Sequence, residues 1–310
     1  MKKVFIDGSV GTTGLRIFDR LSQREDISLI TLPEVERKDP LCRKKAINES
    51  DITFLCLPDP AAMEAVSFVE NENTVIIDTS TAHRTNPDWS YGFPELSEKH
   101  YEKVKASKRI AVPGCHASGF ISLVYPLMEK GILSPEVRLT CHSITGYSGG
   151  GKKMIADYGD ENRSALLDAP RQYGITQSHK HLKEMVKITG IETTPVFCPI
   201  VSDFYSGMMV TVPLFKEDLK NGFSVSDIKK AYAEKYTGPV VTYKETLDEN
   251  GFLSGAALSG KDSMMVTVSG NDDRILLVAV YDNLGKGASG AAVECLNIVM
   301  GTDKTTGLDL

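Results

Sequence analysis

The chain has 310 residues, 41% of them hydrophobic and 25% charged, with 26 glycines and 14 prolines. This balance excludes a disordered or collagen-like chain, and the length allows one large or two medium domains. The net charge of −6 gives no global attraction for nucleic acid or an anionic membrane, so neither is expected as a partner and any anionic ligand must meet a local positive site.

The N-terminal third alternates short apolar runs with helical patterns. Val4–Ile6 reads as a strand ending at Asp7-Gly8, and Leu15, Ile17, Phe18 and Leu21 recur near helical spacing. Ile27–Leu32, Ile52–Leu57 and Thr74–Asp78 are further strands, with a helix through Ala61–Val66. These strands are continuously apolar, which suits parallel strands covered on both faces, and their alternation with helices predicts a doubly wound, Rossmann-type sheet. Lys108–Val112 is a short strand, followed by a helical segment over Phe120–Met128. Beyond it, Val137–Ile144, Met208–Leu214, Met264–Val268 and Arg274–Tyr281 read as strands, with helices over Ser178–Thr189 and Ser226–Tyr236. Few crossovers separate them, so an α+β region with a largely antiparallel sheet is expected. Ala288–Met300 is helical. Its longest apolar neighbour, Ile275–Val280, falls far short of the ~18 residues of a membrane span. The start of the chain reaches Asp7 too soon for a secretory apolar segment. Six cysteines are too sparse for a disulfide framework and read as free thiols of a reduced cytoplasm.

Gly8-Ser9-Val10-Gly11-Thr12-Thr13-Gly14 has the spacing G-x-x-G-x-x-G between the first strand and its helix. Such a turn lets backbone N–H groups approach a pyrophosphate at a helix start, and Gly8, Ser9, Gly11, Thr12, Thr13 and Gly14 are the candidate dinucleotide ligands. Arg37 and Lys38 follow the second strand and suit a 2′-phosphate, which favours NADP(H), although Glu34 and Glu36 lie beside them.

Cys115, in Pro113-Gly114-Cys115-His116, stands at a strand-to-helix junction. Free N–H groups there favour thiolate, the form a nucleophile needs. His179-Lys180-His181 with Glu184 supplies a proton carrier. On a helix, His181 and Glu184 share a face at i, i+3, so the carboxylate orients the ring. A metal reading of this pair lacks further ligand spacing. Thr145–Lys153 is a glycine-rich loop in which Ser148, Gly149 and Gly150 suit an oxyanion. Asp78-x-Ser80-x-Ala82-His83-Arg84 follows a strand end, where ligands bind in such sheets, and Arg84 is a candidate for a substrate anion. Asn283, in Asp282–Gly290, enters the last helix on a glycine-dense turn that is expected to face the nicotinamide.

Together these segments resemble the semialdehyde dehydrogenase family, from Gly8 to Ala291. The resemblance implies an NADP(H)-binding domain over 1–114 and 285–310 and a catalytic and oligomerisation domain over 115–284. It implies reduction of a small acyl phosphate through a Cys115 thioester, with His181 matching the second histidine of the motif as base, and a homo-oligomer. Ser80 and Asn283 fall in its cofactor segments. Reductases acting on a different acyl phosphate are the alternative within the class. A nucleotide-binding protein without catalysis is the alternative outside it, and it leaves Cys115 and the histidine pair unexplained.

Overall fold

The computed structural model describes all 310 residues. They form two compact units, the first comprising Met1–Pro94, Glu98–Pro113 and Ala288–Leu308, the second Glu95–Ser97, Gly114–Gly287 and Asp309–Leu310.

In the first unit β1 (Lys2–Asp7), α1 (Thr12–Leu21), β2 (Ile27–Ile30), α2 (Pro40–Glu49), β3 (Ile52–Leu55), α3 (Asp59–Ser67), β4 (Val75–Asp78), β5 (Ser90–Tyr91), α4 (Glu98–Ala106) and β6 (Arg109–Ala111) precede a return to the final helix, Gly290–Met300. The sheet order is β2-β1-β3-β4-β6-β5, and every pairing is parallel. Alternate residues of β1 enter different cores. Val4 and Ile6 pack with Ile17 and Leu21 of α1 and with Val293 and Leu296 of the final helix. Phe5 packs with Ala46 and Ile47 of α2 and Ala62 and Ala65 of α3. Both faces are therefore covered, which explains the uninterrupted apolar runs. Each large side chain buried this way contributes about 1.5–3 kcal/mol.

The second unit contains α5 (Cys115–Glu129), β7 (Thr140–Gly146), α6 (Gly151–Gly159), β8 (Arg171–Gln172), α7 (Leu182–Thr189), β9 (Val196–Ser202), β10 (Met208–Phe215), α8 (Val225–Lys235), β11 (Val241–Tyr243), β12 (Met264–Gly270) and β13 (Arg274–Tyr281). Its order is β11-β12-β13-β10-β7-β9-β8. β11/β12 and β7/β9 run parallel and the other pairs antiparallel. α5 packs on β10 and β13. It comes close because Gly119 has no side chain: a Cβ there would press on Val210 and the Tyr281 hydroxyl. No helix is long and apolar enough to cross a membrane.

Three differences from the sequence reading concern the site. The helix expected over Ser178–Thr189 begins only at Leu182. The strand expected from Val137 begins at Thr140 because Val137 closes a turn onto the Ser134 carbonyl. The glycine-rich loop is an ordered 3₁₀ turn, Tyr147–Gly150, running into α6.

Candidate active site

In the first unit the glycine turn lies where the strand order reverses, with β2 on one side of β1 and β3 on the other. Gly8 has φ +90°, and a Cβ there would collide with the Cys56 carbonyl at the end of β3. Only glycine therefore closes this turn. A Cβ at Gly14 would strike the Gly8 carbonyl, so the helix can start this close only without one. Gly11 caps α1 and gives no side-chain bond to it. The first-turn N–H groups, from Thr12 and Thr13 onward, are thus left for an external anion. A cavity of about 620 Å³ opens beside the turn, lined by Gly8, Ser9 and Val10, by apolar Leu29 and Leu57, and by Glu34, Arg37 and Lys38. Arg37 and Lys38 enter no ion pair. Arg43 also reaches this wall, but it is committed to Asp7 (3.0 Å) and Glu64 (2.7 Å). Burial raises the Asp7 carboxyl above its usual range against the pull of Arg43. Apolar walls, glycine backbone and two unpaired cations fit a dinucleotide.

The turn after β4 is built on Asp78. Its Oδ1 accepts the Ser80 N–H (2.8 Å), and its Oδ2 accepts the Ser80 hydroxyl (2.7 Å) and lies 2.6 Å from His83 Nδ1. His83 stacks on Trp89 with centroids 4.0 Å apart. Ser80 is thus part of a closed local network at the carboxyl end of the sheet. Arg84 corrects the expectation of an anion ligand. Its Nε donates to the Val112 carbonyl (2.8 Å) and its Nη2 to the Thr79 carbonyl (3.0 Å). This is the side-on fork that would otherwise take a carboxylate, and here it clasps the ends of β4 and β6.

In the second unit Cys115 is the first residue of α5, and Gly114 caps the helix with no side-chain bond. The sulfur stands at a helix start with open N–H groups, the environment that stabilises a thiolate. Two long-range bonds hold this residue. The Gly114 N–H donates to Glu184 Oε2 at 3.1 Å. The Tyr281 hydroxyl accepts the Gly119 N–H (3.0 Å) and donates to the Cys115 carbonyl (2.5 Å). A phenol from the end of β13 thus bridges the first turn of α5.

Glu184 therefore has a different task from the one expected. His181 is the residue before α7 and not within it. Its Nε2 is 4.0 Å from Glu184 Oε1, an ionic distance and not a hydrogen bond. The buried carboxylate (1% exposed) braces the Gly114–Cys115 turn and adds only a field at the ring. His179 Nδ1 accepts the His181 N–H (3.2 Å) and so sets the backbone that presents His181.

His116, the residue after Cys115, gathers the histidines. Its ring centroid lies 5.6 Å from that of His181, 5.7 Å from His179 and 5.3 Å from Phe197. Its Nδ1 is 2.6 Å from the Ser143 hydroxyl and its Nε2 2.5 Å from the Tyr173 hydroxyl. Burial, with His179 adding to it, pushes the His116 pKa down to about 3. Burial and Lys180 push His179 down to about 4. Both rings are neutral at physiological pH. Burial, and secondarily the charge of Cys115, push the Tyr173 phenol up, so it stays protonated.

Ser148 is buried, accepts from Asn283 Nδ2 (3.0 Å) and donates its N–H to the Tyr205 carbonyl (2.9 Å). Gly149 and Gly150 follow it on the surface. Asn283, expected beside the cofactor, clamps this loop to β10, its Oδ1 accepting the Gly207 N–H (2.8 Å). The carboxylate of Asp282 accepts from Leu284 N, Gly285 N, Ser206 Oγ and Gly260 N. This fixes the following loop so that Gly287 lies against Cys115: a Cβ on Gly287 would sit 3.1 Å from Cys115 Cβ. The sequence reading missed Ser143, Tyr173, Tyr281 and Gly287. Only the glycine density around Gly287 signalled any of them.

Comparison with known proteins agrees with this arrangement. A family model described as the semialdehyde dehydrogenase NAD-binding domain matches residues 3–104, and one described as the semialdehyde dehydrogenase dimerisation domain matches 115–283. An N-acetyl-gamma-glutamyl-phosphate reductase of Sinorhizobium medicae is 43% identical over 305 residues, 96% of this chain and 98% of its own length. The N-acetyl-gamma-glutamyl-phosphate reductase 2 of Nostoc is 43% identical over 318 residues, 99% of each chain. The chain belongs to the N-acetyl-γ-glutamyl-phosphate reductases of the semialdehyde dehydrogenase family. Members of this family are oxidoreductases that use a nicotinamide dinucleotide, and the cavity of the first unit is where this member's residues fit one. Among solved structures, aspartate semialdehyde dehydrogenase II of Vibrio cholerae matches with a TM-score of 0.73 at 16% identity, covering 97% of this chain and 98% of that one. The aspartate semialdehyde dehydrogenase of Candida albicans, solved with NADP, matches with 0.67 at 18%, with the same coverage of each chain. At these identities they share the fold.

Proposed function

We propose that this reductase converts N-acetyl-γ-glutamyl phosphate to N-acetylglutamate semialdehyde and inorganic phosphate, using NADPH, with Cys115 as the covalent catalyst. The preference for NADP(H) rests on Arg37 and Lys38 in the cavity wall, which form no ion pair and can meet a 2′-phosphate. A homo-oligomer follows from the dimerisation-domain match, and six free thiols suit a reducing cytoplasm.

The observation that carries the reading is the framing of Cys115. It occupies the first position of an uncapped helix, with its backbone held on both sides by Glu184 and Tyr281. Nothing in a passive nucleotide-binding protein requires such a frame. In the proposed reaction the thiolate attacks the γ-carbonyl, the C–O bond to phosphate breaks, and a thioester to Cys115 forms. Bound NADPH supplies the hydride that reduces this thioester. Backbone N–H groups at the start of α5 receive the developing oxyanion. The C–S bond then breaks to free the aldehyde. His181, held by His179, takes up the thiol proton and returns a proton as the leaving group departs. The tight loop Ser148–Gly150, at the start of α6, is the proposed seat of the phosphate.

Cys115→Ser is expected to keep NADPH affinity and to lose turnover by roughly 1,000-fold or more. Retention of most activity defeats the reading. In the reverse direction, with phosphate and NADP, N-acetylglutamate semialdehyde is expected to be oxidised in preference to aspartate semialdehyde. The opposite preference would assign a different acyl phosphate.

A further inference from the structure

Two arginines bracket Tyr158, and only one is neutralised. The Arg163 guanidinium carbon lies 5.9 Å from the ring centroid, and that of Arg171 lies 5.4 Å from it. Arg163 forms ion pairs with Asp168 and Asp203. Arg171 forms none. Its Nη2 donates to the Tyr158 hydroxyl (3.0 Å), and its Nε is buried with no hydrogen-bond partner. A permanently charged group with an orphan donor is costly to keep in a fold. The residue as a whole is only half-buried, so a ligand can reach it.

The position of Arg171 says which ligand. In the β8–β9 ladder Arg171 opposes Val201 and Gln172 opposes Ile200, and the Tyr173 N–H donates to the Pro199 carbonyl, continuing the register. Arg171 and Tyr173 therefore lie on one side of the edge strand, two residues or about 7 Å apart. Tyr173 bonds His116, the neighbour of the nucleophile. On β9 the same strip runs from Phe197, beside His116, to Val201, which packs with Tyr158. Tyr158 in turn stacks on Tyr147, centroids 4.6 Å apart, and Tyr147 opens the glycine loop. An unpaired guanidinium thus stands on the same side of the edge strand as the tyrosine that bonds the neighbour of Cys115. A second anionic group on a substrate held at Cys115 is the kind of partner that this guanidinium lacks.

We infer that Arg171 binds an oxyanion of the substrate, and that this oxyanion is the α-carboxylate of the acetylated glutamyl chain. The inference rests on the proposed substrate. The acyl phosphate end is a second anion of the same molecule, and the two are separable by kinetics.

The test is the reverse reaction of wild type, R171Q and R171K, with NADP and phosphate. Two aldehydes are compared: N-acetylglutamate semialdehyde and 4-acetamidobutanal, which is the same molecule without its α-carboxylate. For R171Q we expect kcat/KM on the first to fall about 10- to 100-fold, as when a charged hydrogen bond is lost. The second aldehyde and the KM for phosphate are expected to stay unchanged, with R171K restoring part of the loss. An equal loss on both aldehydes would make Arg171 a structural residue and overturn the inference. So would an unchanged preference. A raised KM for phosphate alone would place the wrong anion on it. If R171Q does not fold, R171K gives the same reading, a loss confined to the carboxylated aldehyde. A wild type inert on the carboxylated aldehyde would instead remove the proposed substrate, and the inference with it, before any variant is compared.

Discussion

Replacing Gly287 by Ala adds one methyl group against Cys115. Built on the present backbone, that methyl carbon lies 3.1 Å from Cys115 Cβ, 3.4 Å from Cys115 Cα and 3.0 Å from the Asp282 carbonyl oxygen. Comfortable carbon–carbon contact begins near 3.5–4.0 Å, about half an ångström further out. None of the three atoms is the end of a flexible side chain, so the strain cannot be relieved by a rotamer change. The Asp282 carboxylate anchors the loop on one side, and Tyr281 and Glu184 anchor Cys115 on the other. Overpacking of this kind costs about 1–3 kcal/mol of stability. Since a misplacement of about 1 Å can cost 100-fold in rate, a shift half that size is expected to lower kcat about 10-fold. Gly287→Ala should therefore show a lower urea midpoint, slower single-turnover acylation and slower iodoacetamide labelling of Cys115. NADPH affinity, which the proposal assigns to the glycine turn of the first unit, should be unchanged. Wild-type acylation in a variant of wild-type stability would refute the tight apposition of Gly287 and Cys115.

Tyr281→Phe removes the hydroxyl between Gly119 N–H and the Cys115 carbonyl. It is expected to lower kcat about 10-fold while changing stability by only about 1 kcal/mol, and an unchanged kcat in steady-state assay would show that the bridge does not position the nucleophile. His116 has a folded pKa pushed down to about 3 by burial and His179, against the usual 6.5. Its contribution to stability is therefore full above about pH 6.5 and is lost as pH falls toward about 3; between pH 6 and pH 4 the loss is about 2 kcal/mol, visible in urea unfolding and absent in His116→Asn. Arg37→Ala with Lys38→Ala is expected to raise the KM for NADPH about 10- to 100-fold and to leave NADH unchanged, and equal effects on the two cofactors would remove the 2′-phosphate assignment. Iodoacetamide should label Cys115 first, because burial pushes the Cys56 thiol up to about 12 and also raises Cys141; uniform labelling in peptide mass spectrometry would contradict a poised thiolate.

The parallel sheet was legible because each of its strands carries its own signal. Val4–Ile6 and Ile52–Leu55 are apolar on both faces, and Gly8 marks the turn between β1 and α1. The range Arg274–Tyr281 was read off its apolar run alone. α2 was not legible. Its buried apolar residues are only Ala46 and Ile47, and its third buried residue, Arg43, is held by charges distant in sequence. In the site, the place of Cys115 at a helix start could be read from its neighbours Pro113 and Gly114. Its supports could not, because Glu184 and Tyr281 stand 70 and 166 residues away from the groups they bind. The 4.0 Å separation of Glu184 from His181 has a local reason. The spacing of His181 and Glu184 implies a shared helical face only if the helix has already begun, and it begins one residue later. The bonds of Asn283 to Ser148 and Gly207 were not legible, because a glycine-dense segment shows where a chain turns and not which neighbour an amide will find.

The His116 ring lies between two hydroxyls, Ser143 and Tyr173, and carries a single proton. An uncharged imidazole donates from one nitrogen and accepts at the other, so it has two tautomers of equal net charge. In one, Tyr173 gives its hydrogen to the ring. In the other, Tyr173 receives a hydrogen from the ring and turns its own away from it. Passing between them carries a proton into the row at one hydroxyl and out at the other, and leaves the ring uncharged at the end. The direction of the row is therefore set by whichever end is given a hydrogen.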